Sequence, residues 1–320
     1  MKLVVTIPAH NEEQNIADVI KEIPRRITGI ESVQVLVLDD GSTDNTVRRA
    51  GEAGADFIVS HKRNKGLAKT FSDALEEAVR HGADIIVNTD GDNHYNQSKI
   101  PELIAPILAG RADLVIGSRK VNELEEMPFL KKYLNMLASF LTARLAGLPQ
   151  VDISTGFRAY TREAALRIAV YSNHTYTHTT LLSAHDQKLI IAEVPIKARK
   201  VSRPSRLIPN VPHFIWNAGV NIVRNIVLFR PLRFFGLVGS VIFVLGLVFV
   251  VRFLWLYFAG DGAGHIQSLV LAGILMIIGF QTGVLGLLGS SIGWSRKVSE
   301  EILYRLKRAE FDQGDKKSKQ

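Results

Sequence analysis

Two carboxylates stand on either side of a glycine in Asp90-Gly91-Asp92, directly after the apolar run 85–87 and two polar residues. Like charges this close repel each other unless a cation lies between them. Carboxylate oxygens suit Mg²⁺ or Mn²⁺, and such an ion can bind a diphosphate at the same time. The alternative interpretation is a simple turn at the end of a strand, because Asp and Gly are common turn residues. The surrounding segments favour the metal-diphosphate site.

Short apolar runs alternate with helical patterns over residues 1–208. The predicted strands are residues 3–7, 33–38, 56–59, 85–88, 114–116 and 193–196. A capping box of Asn11 and Gln14 predicts a helix that runs to about Ile23, and an apolar stripe predicts another over residues 67–80, ended by Gly82. Strands that alternate with helices predict an α/β fold with a mostly parallel, doubly wound sheet flanked by helices.

Polar segments accompany the ends of five predicted strands. They are Pro8-Ala9-His10-Asn11-Glu12-Glu13, Asp39-Asp40-Gly41-Ser42-Thr43-Asp44, Arg63-Asn64-Lys65-Gly66, Asp90-Gly91-Asp92 and Gly117-Ser118-Arg119. Ligands bind outside the carboxyl ends of the strands in such sheets. We therefore expect these five segments to meet at one edge of the sheet and to form a binding site.

Two long segments nearer the C-terminus, residues 234–251 and 266–294, contain no charged residue. Both satisfy the requirement of roughly 20 apolar residues for a bilayer-spanning helix, and we predict spans over about 234–258 and 266–294. The alternative, two buried core helices, needs a protein that surrounds them. Residues 209–230 mix apolar and polar side chains, which favours an amphipathic helix in the membrane interface over an ordinary surface helix.

Lysine and arginine flank the two predicted spans, whereas the link 259–265 contains neither. The positive-inside rule then predicts a two-span protein of the cell membrane, with the catalytic domain and both termini in the cytoplasm. The N-terminus shows no signal-peptide pattern, so we expect no cleaved leader. The absence of cysteine excludes disulfides and thiol chemistry and fits a cytoplasmic catalytic domain.

The net charge of +8 has two interpretations, binding of nucleic acid or attraction to lipid headgroups. Much of the positive charge lies beside the predicted spans, where anionic headgroups attract it. The chain has no basic face with interleaved aromatic residues. We therefore expect the lipid bilayer as a partner and no nucleic acid.

Taken in order, the five strand-end segments resemble those of family 2 glycosyltransferases with the GT-A fold. Two further segments, Asp152-Ile153-Ser154-Thr155-Gly156-Phe157-Arg158 and Glu193-Val194-Pro195-Ile196, resemble the dolichol-phosphate mannose synthase and polyprenyl-phosphate glucosyltransferase branch. The match covers roughly residues 3–207. The resemblance implies a Rossmann-like GT-A fold and an inverting enzyme. Such an enzyme moves a hexose from a UDP- or GDP-linked sugar to a polyprenyl or dolichyl phosphate on the cytoplasmic membrane face.

The resemblance also implies roles for individual residues. The nucleotide-sugar would be bound by Pro8, Ala9, Asn11, Glu12, Asp39, Asp40, Lys65, Gly66, Asp90 and Gly91. The acceptor phosphate would be bound by Arg119, Ser154, Thr155, Arg158, Arg203 and Arg206. The catalytic residues would be Asp92, Arg119 and Asp152, and the metal ligands Asp90, Asp92 and His94. Asp152 would act as a base or orient an arginine. We favour the second role, because the acceptor phosphate is already ionised.

Two departures from the family pattern concern these roles. His94 stands where family members often carry a glutamine that ligates the metal. Imidazole can ligate Mn²⁺, so His94 either shifts the metal preference or does not ligate at all, and both interpretations remain open. The usual Arg-x-x-Gly-x-Ser-Lys loop is replaced by residues 200–206, which keep Ser205-Arg206 but carry Pro204 and no glycine. Proline stiffens the loop, which disfavours movement of the loop as a lid.

We predict a catalytic domain at residues 1–208, an interfacial helix at 209–230, two spans within 231–295 and a cytoplasmic tail at 296–320. The rival functions are transfer to a glycan or protein hydroxyl, a processive polysaccharide synthase, and a non-catalytic membrane scaffold that kept the fold. Two spans cannot enclose a polysaccharide channel within one chain. Glycines in the spans offer surfaces for close packing, which makes a homo-oligomer possible.

Overall fold

The computed structural model describes residues 1–119, 155–170, 176–196, 199, 227, 230–260 and 266–317. The chain divides into two compact units. The first comprises Met1–Val211 and Glu300–Gln320, and the second comprises Pro212–Ser299. Apart from residues 227 and 230, the predicted interfacial helix lies outside the described residues.

A seven-stranded sheet forms the centre of the first unit, with the strand order β3-β2-β1-β4-β6-β5-β7. The strands are β1 Lys2–Ala9, β2 Ser32–Asp39, β3 Phe57–Ser60, β4 Ile85–Asn88, β5 Leu114–Arg119, β6 Arg158–Thr161 and β7 Ile191–Ile196. All six predicted strands are confirmed, and among the residues that the structure describes β6 is the one strand that the pattern did not predict. The predicted α/β class with a mostly parallel sheet is also confirmed.

Strand β6 is antiparallel to both of its neighbours, whereas the other pairs are parallel. Its first residue, Arg158, is in register with Asn88 of β4 and with Ile116 of β5. The start of β6 therefore lies at the same sheet edge as the carboxyl ends of the parallel strands. This insertion brings the chain that precedes Arg158 to the predicted binding edge.

Helices flank the sheet. In the first unit they are α1 Ile16–Glu22, α2 Thr46–Glu52, α3 Leu67–Arg80, α4 Ile100–Leu108, α5 Arg162–Arg167 and α6 Thr177–Asp186. Helix α3 has the predicted bounds, and it buries its apolar stripe, which includes Phe71, Ala74, Leu75 and Ala78. Strand β1 is buried from Leu3 to Ala9. Continuous apolar burial of this kind is typical of a parallel sheet covered on both faces.

The predicted helix start at Asn11 is wrong. Helix α1 begins at Ile16, and Asn11 instead has a left-handed backbone with φ 54°. Its side-chain Oδ1 accepts a hydrogen bond from the Thr43 N–H at 2.9 Å. The capping-box pattern failed because Asn11 bonds to a loop that is distant in sequence rather than to the next turn of its own chain.

The second unit contains helix α7, Pro231–Phe258, and the first part of helix α8, Ile266–Lys317. Both helices are long and apolar enough to cross a bilayer. They pack closely through glycines, since a Cβ on Gly239 would lie 2.6 Å from the Gly279 carbonyl oxygen and one on Gly246 would lie 2.9 Å from that of Ala272. The residues of α8 from Glu300 onward belong to the first unit.

Candidate active site

The loops that follow β1 and β2 are bonded to each other. The Asn11 N–H donates to Ser42 Oγ at 2.9 Å, and the Glu12 N–H donates to Thr46 Oγ1 at 2.8 Å. Asn11 Oδ1 accepts the Thr43 N–H in return. Pro8 and Ala9 are buried beneath this junction, and Asn11 and Glu12 are half-buried on it. The predicted nucleotide-binding residues of these loops therefore form one connected surface at the sheet edge.

Asp39 and Asp40, at the end of β2, are buried. Asp39 Oδ1 accepts the Ser42 N–H at 3.1 Å, which closes the turn. Asp40 accepts the backbone N–H groups of Lys65 and Gly66 at 2.8 and 2.9 Å. Asp40 thus links the end of β2 to the loop that precedes α3. The contacts of both carboxylates with a nucleotide stay predictions.

The pKa of Asp40 shows how strongly these bonds favour its charged form. Burial acts to raise the pKa of the carboxyl group, but the hydrogen bond from His61 and the two backbone N–H groups outweigh burial. The pKa of Asp40 is therefore below its ordinary value. An ionised carboxylate is a stronger acceptor, so the loop is held by charge-assisted hydrogen bonds.

Two loop backbones touch at Gly41. A Cβ at this position would lie 2.8 Å from the carbonyl carbon of Arg63 and 2.9 Å from the Asn64 nitrogen, and Gly41 has φ +69°. No larger residue fits there. Lys65 belongs to the segment that contains Arg63 and Asn64, and its side chain is 43% exposed. The Arg63–Gly66 segment therefore lies directly against the Asp39–Asp44 loop, as the topology predicts.

Asp90 and Asp92 are half-buried in the loop after β4. Asp92 Oδ1 accepts the His94 N–H at 3.0 Å. A Cβ on Gly91 would lie 3.6 Å from Glu12 Cγ and 3.6 Å from the Pro8 carbonyl oxygen. The two-carboxylate loop therefore lies beside the loop after β1, and the segments after β1, β2, β3 and β4 form one site.

A buried polar network, which the sequence did not reveal, contacts the Asp90 carboxylate. Asn88 Nδ2 donates to the Gly156 carbonyl oxygen and to the Tyr176 hydroxyl, both at 2.9 Å. The Tyr176 hydroxyl lies 3.5 Å from Asp90 Oδ1. Burial raises the pKa of Tyr176 well above its ordinary value, so the phenol keeps its proton and acts as a donor. An asparagine at the end of a buried apolar strand was the available signal for this network.

The donor atoms of this loop suit a divalent cation. Among the residues that the structure describes, no group of three or more His, Asp or Glu side chains is placed to hold a metal ion. Asp90, Asp92 and His94 are thus not assembled as a three-residue site, and the ring of His94 lies edge-on to Tyr95 at 5.2 Å. Two carboxylates still fit Mg²⁺, which proteins often hold with one or two carboxylates and substrate phosphates. Ligation by His94 stays a prediction.

Two of the predicted acceptor-binding residues lie inside the protein. Arg158 is fully buried; its Nε donates to the Thr155 carbonyl oxygen at 2.9 Å, and its Nη1 donates to the Thr177 carbonyl oxygen at 2.9 Å and to Thr180 Oγ1 at 2.6 Å. Thr155 is also fully buried. These bonds tie the start of β6 to α6. Contact of either side chain with an acceptor phosphate would require a rearrangement, and it stays a prediction.

The remaining predicted site residues are less fully described. Arg119 ends β5 at the same sheet edge, where it is in register with Ile196 of β7. Asp152, Ser154, Arg203 and Arg206 lie outside the described residues. Their roles therefore remain predictions from the sequence.

Comparison with known proteins defines the class to which this fold and site belong. Residues 4–168 match the family described as Glycosyl transferase family 2, so the chain belongs to that family. It is similar to a UDP-N-acetylglucosamine–dolichyl-phosphate N-acetylglucosaminyltransferase of Methanococcus voltae, with 30% identity over 61% of this chain and 84% of the relative. A dolichyl-phosphate hexose transferase of Haloferax volcanii is 32% identical over 65% of this chain and 87% of the relative.

A solved structure shares the fold. Glucosyl-3-phosphoglycerate synthase from Mycobacterium tuberculosis, in complex with Mn²⁺, UDP and phosphoglyceric acid, superposes with a TM-score of 0.54. The two proteins are 23% identical over 69% of this chain and 78% of that one. Another structure of the same synthase contains Mg²⁺ and UDP. This synthase therefore binds a divalent cation together with UDP.

Proposed function

We propose that this chain is an inverting glycosyltransferase that moves a hexose from a nucleotide-sugar to a polyprenyl or dolichyl phosphate at a membrane. The observation that carries the proposal is the meeting of Asp90 and Asp92 with the Glu12 loop at the carboxyl edge of the sheet. Relatives that transfer sugars to dolichyl phosphate support the choice of acceptor. The solved relative with Mn²⁺ and UDP supports a nucleotide donor and a divalent cation.

Different residues at this sheet edge would bind the metal ion, the nucleotide and the acceptor phosphate. Asp90 and Asp92 would hold Mg²⁺ or Mn²⁺, which when bound neutralises charge on the departing diphosphate. Tyr176 would hold Asp90 in position. The loops after β1, β2 and β3 would hold the nucleotide, with Glu12 near the ribose. Arg119 would bring positive charge to the acceptor phosphate, as a guanidinium can bind phosphate through two hydrogen bonds.

The acceptor makes a strong general base unnecessary. An ionised phosphate oxygen attacks the anomeric carbon, the new carbon–oxygen bond forms, and the bond to the diphosphate breaks. The electron pair of that bond leaves with the diphosphate, and no proton has to move. Asp152 would then serve to orient an arginine rather than to remove a proton.

Exposed apolar side chains on α7 and α8 support a membrane location. Trp255 is 71% exposed, Phe258 82% and Ile292 72%. In a water-soluble protein, helices this apolar would be covered, because large exposed apolar surfaces associate with membranes or partners. We propose that both helices span the membrane and that the catalytic unit lies in the cytoplasm.

The decisive experiment is transfer of radiolabelled sugar in membranes that contain the full chain. Each nucleotide-sugar is offered with a polyprenyl phosphate and Mn²⁺ or Mg²⁺, and the expected label is chloroform-soluble and labile to mild acid. Asp92→Ala should abolish the transfer, whereas Asp18→Ala, an exposed aspartate of α1, should retain it. Label on a water-soluble acceptor, or normal transfer by Asp92→Ala, would contradict the proposal.

A further inference from the structure

His61 follows β3 directly, and its imidazole lies between two carboxylates. Nδ1 is 2.8 Å from Asp40 Oδ1, and Nε2 is 3.1 Å from Asp73 Oδ2. The imidazole is 7% exposed, and the Asp40 and Asp73 side chains are 5% and 19% exposed. Both ring nitrogens of His61 therefore face carboxylate oxygens, and a ring N–H can donate a hydrogen bond to a carboxylate. A buried arrangement of this kind fixes the position of all three side chains.

Each carboxylate also holds another part of the chain. Asp40 accepts the backbone N–H groups of Lys65 and Gly66. Asp73, which lies on α3, accepts Lys69 Nζ at 2.5 Å and has Lys65 Nζ at 3.8 Å. The His61 ring therefore connects three elements, namely the end of β2, the loop before α3 and α3 itself.

This connection leaves Asp40 little capacity for a ligand. A carboxylate has about four acceptor positions. His61, Lys65 and Gly66 use three of them, and the Thr70 side chain also hydrogen-bonds to Asp40. Asp40 is thus mainly an organiser of the loop, whose backbone lies against Gly41. Removal of the His61 donor would leave a buried carboxylate less well satisfied and the loop less firmly held.

We propose that His61 is a positioning residue for donor binding. Through Asp40 it fixes the Arg63–Gly66 loop as one wall of the nucleotide-sugar site. The inference rests on the proposed function, because it requires that this edge of the sheet binds the nucleotide. His61 and Asp73 lie outside the five strand-end segments that carry the family resemblance.

Two substitutions separate the two bonds of the ring. In His61→Asn the amide nitrogen takes the place of Nδ1 and can still donate to Asp40. In His61→Gln the longer amide takes the place of Nε2 and reaches Asp73 instead. His81→Asn is the matched control, because His81 stacks on Phe57 at the start of β3, at the opposite sheet edge.

The test is calorimetric binding of UDP and of GDP, each with Mn²⁺, to the full-length protein in detergent. We expect His61→Gln to weaken binding by about tenfold, which is what loss of a hydrogen bond to a charged group costs. We expect His61→Asn and His81→Asn to stay within about threefold of the wild type. In the transfer assay, His61→Gln should raise the donor KM and leave kcat nearly unchanged.

Each outcome has a distinct meaning. Binding by His61→Gln equal to that of the wild type would overturn the inference and leave the proposed function intact. Equal losses in His61→Asn and His61→Gln would also overturn it, because the bond to Asp40 would then not matter. If His61→Gln does not fold, His61→Ala replaces it, with an expected loss of about tenfold. Binding by His61→Ala equal to that of the wild type would overturn the inference. A wild-type protein that binds neither nucleotide would overturn the proposed function and this inference together.

Discussion

At the scale of single residues, the position of Asp90 depends on a glycine that is distant in sequence. A Cβ on Gly156 would lie 2.6 and 2.7 Å from the two Asp90 carboxylate oxygens and 2.7 Å from the Tyr176 hydroxyl. Real Cβ atoms do not approach oxygen so closely. Gly156 therefore allows Asp90, Asn88 and Tyr176 to pack as one unit.

Gly156→Ala should displace Asp90 and lower kcat by about a hundredfold, since a misplacement of about 1 Å can cost this much. The measurement is the sugar-transfer assay, with thermal unfolding to report on stability. Gly51→Ala is the matched control, because a Cβ at Gly51 in α2 meets only Ile58 Cδ1 at 3.7 Å. A Gly156→Ala enzyme with normal kcat would show that Asp90 does not need this position.

Arg158 shows what residue type and motif alone leave undecided. An arginine near the predicted site suggests a phosphate ligand. In the structure its guanidinium is buried and donates to carbonyl oxygens of residues 155 and 177. The partners of a long side chain depend on elements that no local pattern describes.

At the scale of elements, the part of α8 after residue 299 packs against α5 and α3. The Tyr304 hydroxyl donates to Glu163 Oε1 at 2.8 Å, and the Arg167 guanidinium lies 4.0 Å from the Tyr304 ring centroid. Lys307 Nζ bonds to Glu76 at 2.6 Å. The sequence predicted a cytoplasmic tail here, and the structure continues the helix to Lys317.

Tyr304→Phe should destabilise the first unit by about 1.5 kcal/mol, because it removes the hydrogen bond to Glu163 and the one that the hydroxyl accepts from Arg308 Nη1 at 3.0 Å. Tyr304→Ala should cost about 3 kcal/mol, because it also removes the buried ring. The measurement is thermal unfolding in detergent. Arg305→Ala, which removes only an exposed ion pair within α8, is the control and should change little.

The effect of Tyr304→Phe should depend on pH. Burial acts to raise the pKa of Glu163, but hydrogen bonds from Tyr304 and Arg167 outweigh it and lower that pKa below 4.5. The stabilisation by ionised Glu163 is therefore present above pH 4.5 and is lost as the pH falls through the lowered value. The bond from Arg308 to the Tyr304 hydroxyl does not depend on Glu163, so a stability difference between wild type and Tyr304→Phe that does not shrink in stronger acid would contradict this account.

At the scale of the whole molecule, charge and apolar length together indicate how the chain meets a membrane. The basic residues after the second predicted span include Arg296, Lys297, Arg305 and Lys307, while the link 259–265 has no Lys or Arg. This asymmetry predicts a cytoplasmic C-terminus and an external link.

The absence of cysteine allows a direct test of this topology. Gly262→Cys should react with a membrane-impermeant maleimide in intact cells, whereas Ser318→Cys should react only after lysis. The wild-type protein supplies a background without any thiol. Labelling of Ser318→Cys in intact cells, or protection of Gly262→Cys, would show that the predicted orientation is wrong.

Local sequence was enough to predict the class of fold, the sheet edge of the candidate site and the two apolar helices. These properties follow from periodicity, run length and the placement of polar residues at strand ends, all of which are local. Helix α3 illustrates this, because its stripe is strong and its structural bounds equal the predicted ones.

By contrast, the position of β6, the start of α1 and the partners of Asp40, Asp90 and Arg158 depend on tertiary contacts. Strand β6 has only four residues and begins with a buried arginine, so no pattern marks it. Asn88 and Gly156 are 68 residues apart, and their hydrogen bond exists because β6 enters the sheet beside β4. Neighbours that are distant in sequence determine the burial and the hydrogen bonds of these side chains. Local sequence patterns do not indicate which residues those neighbours are.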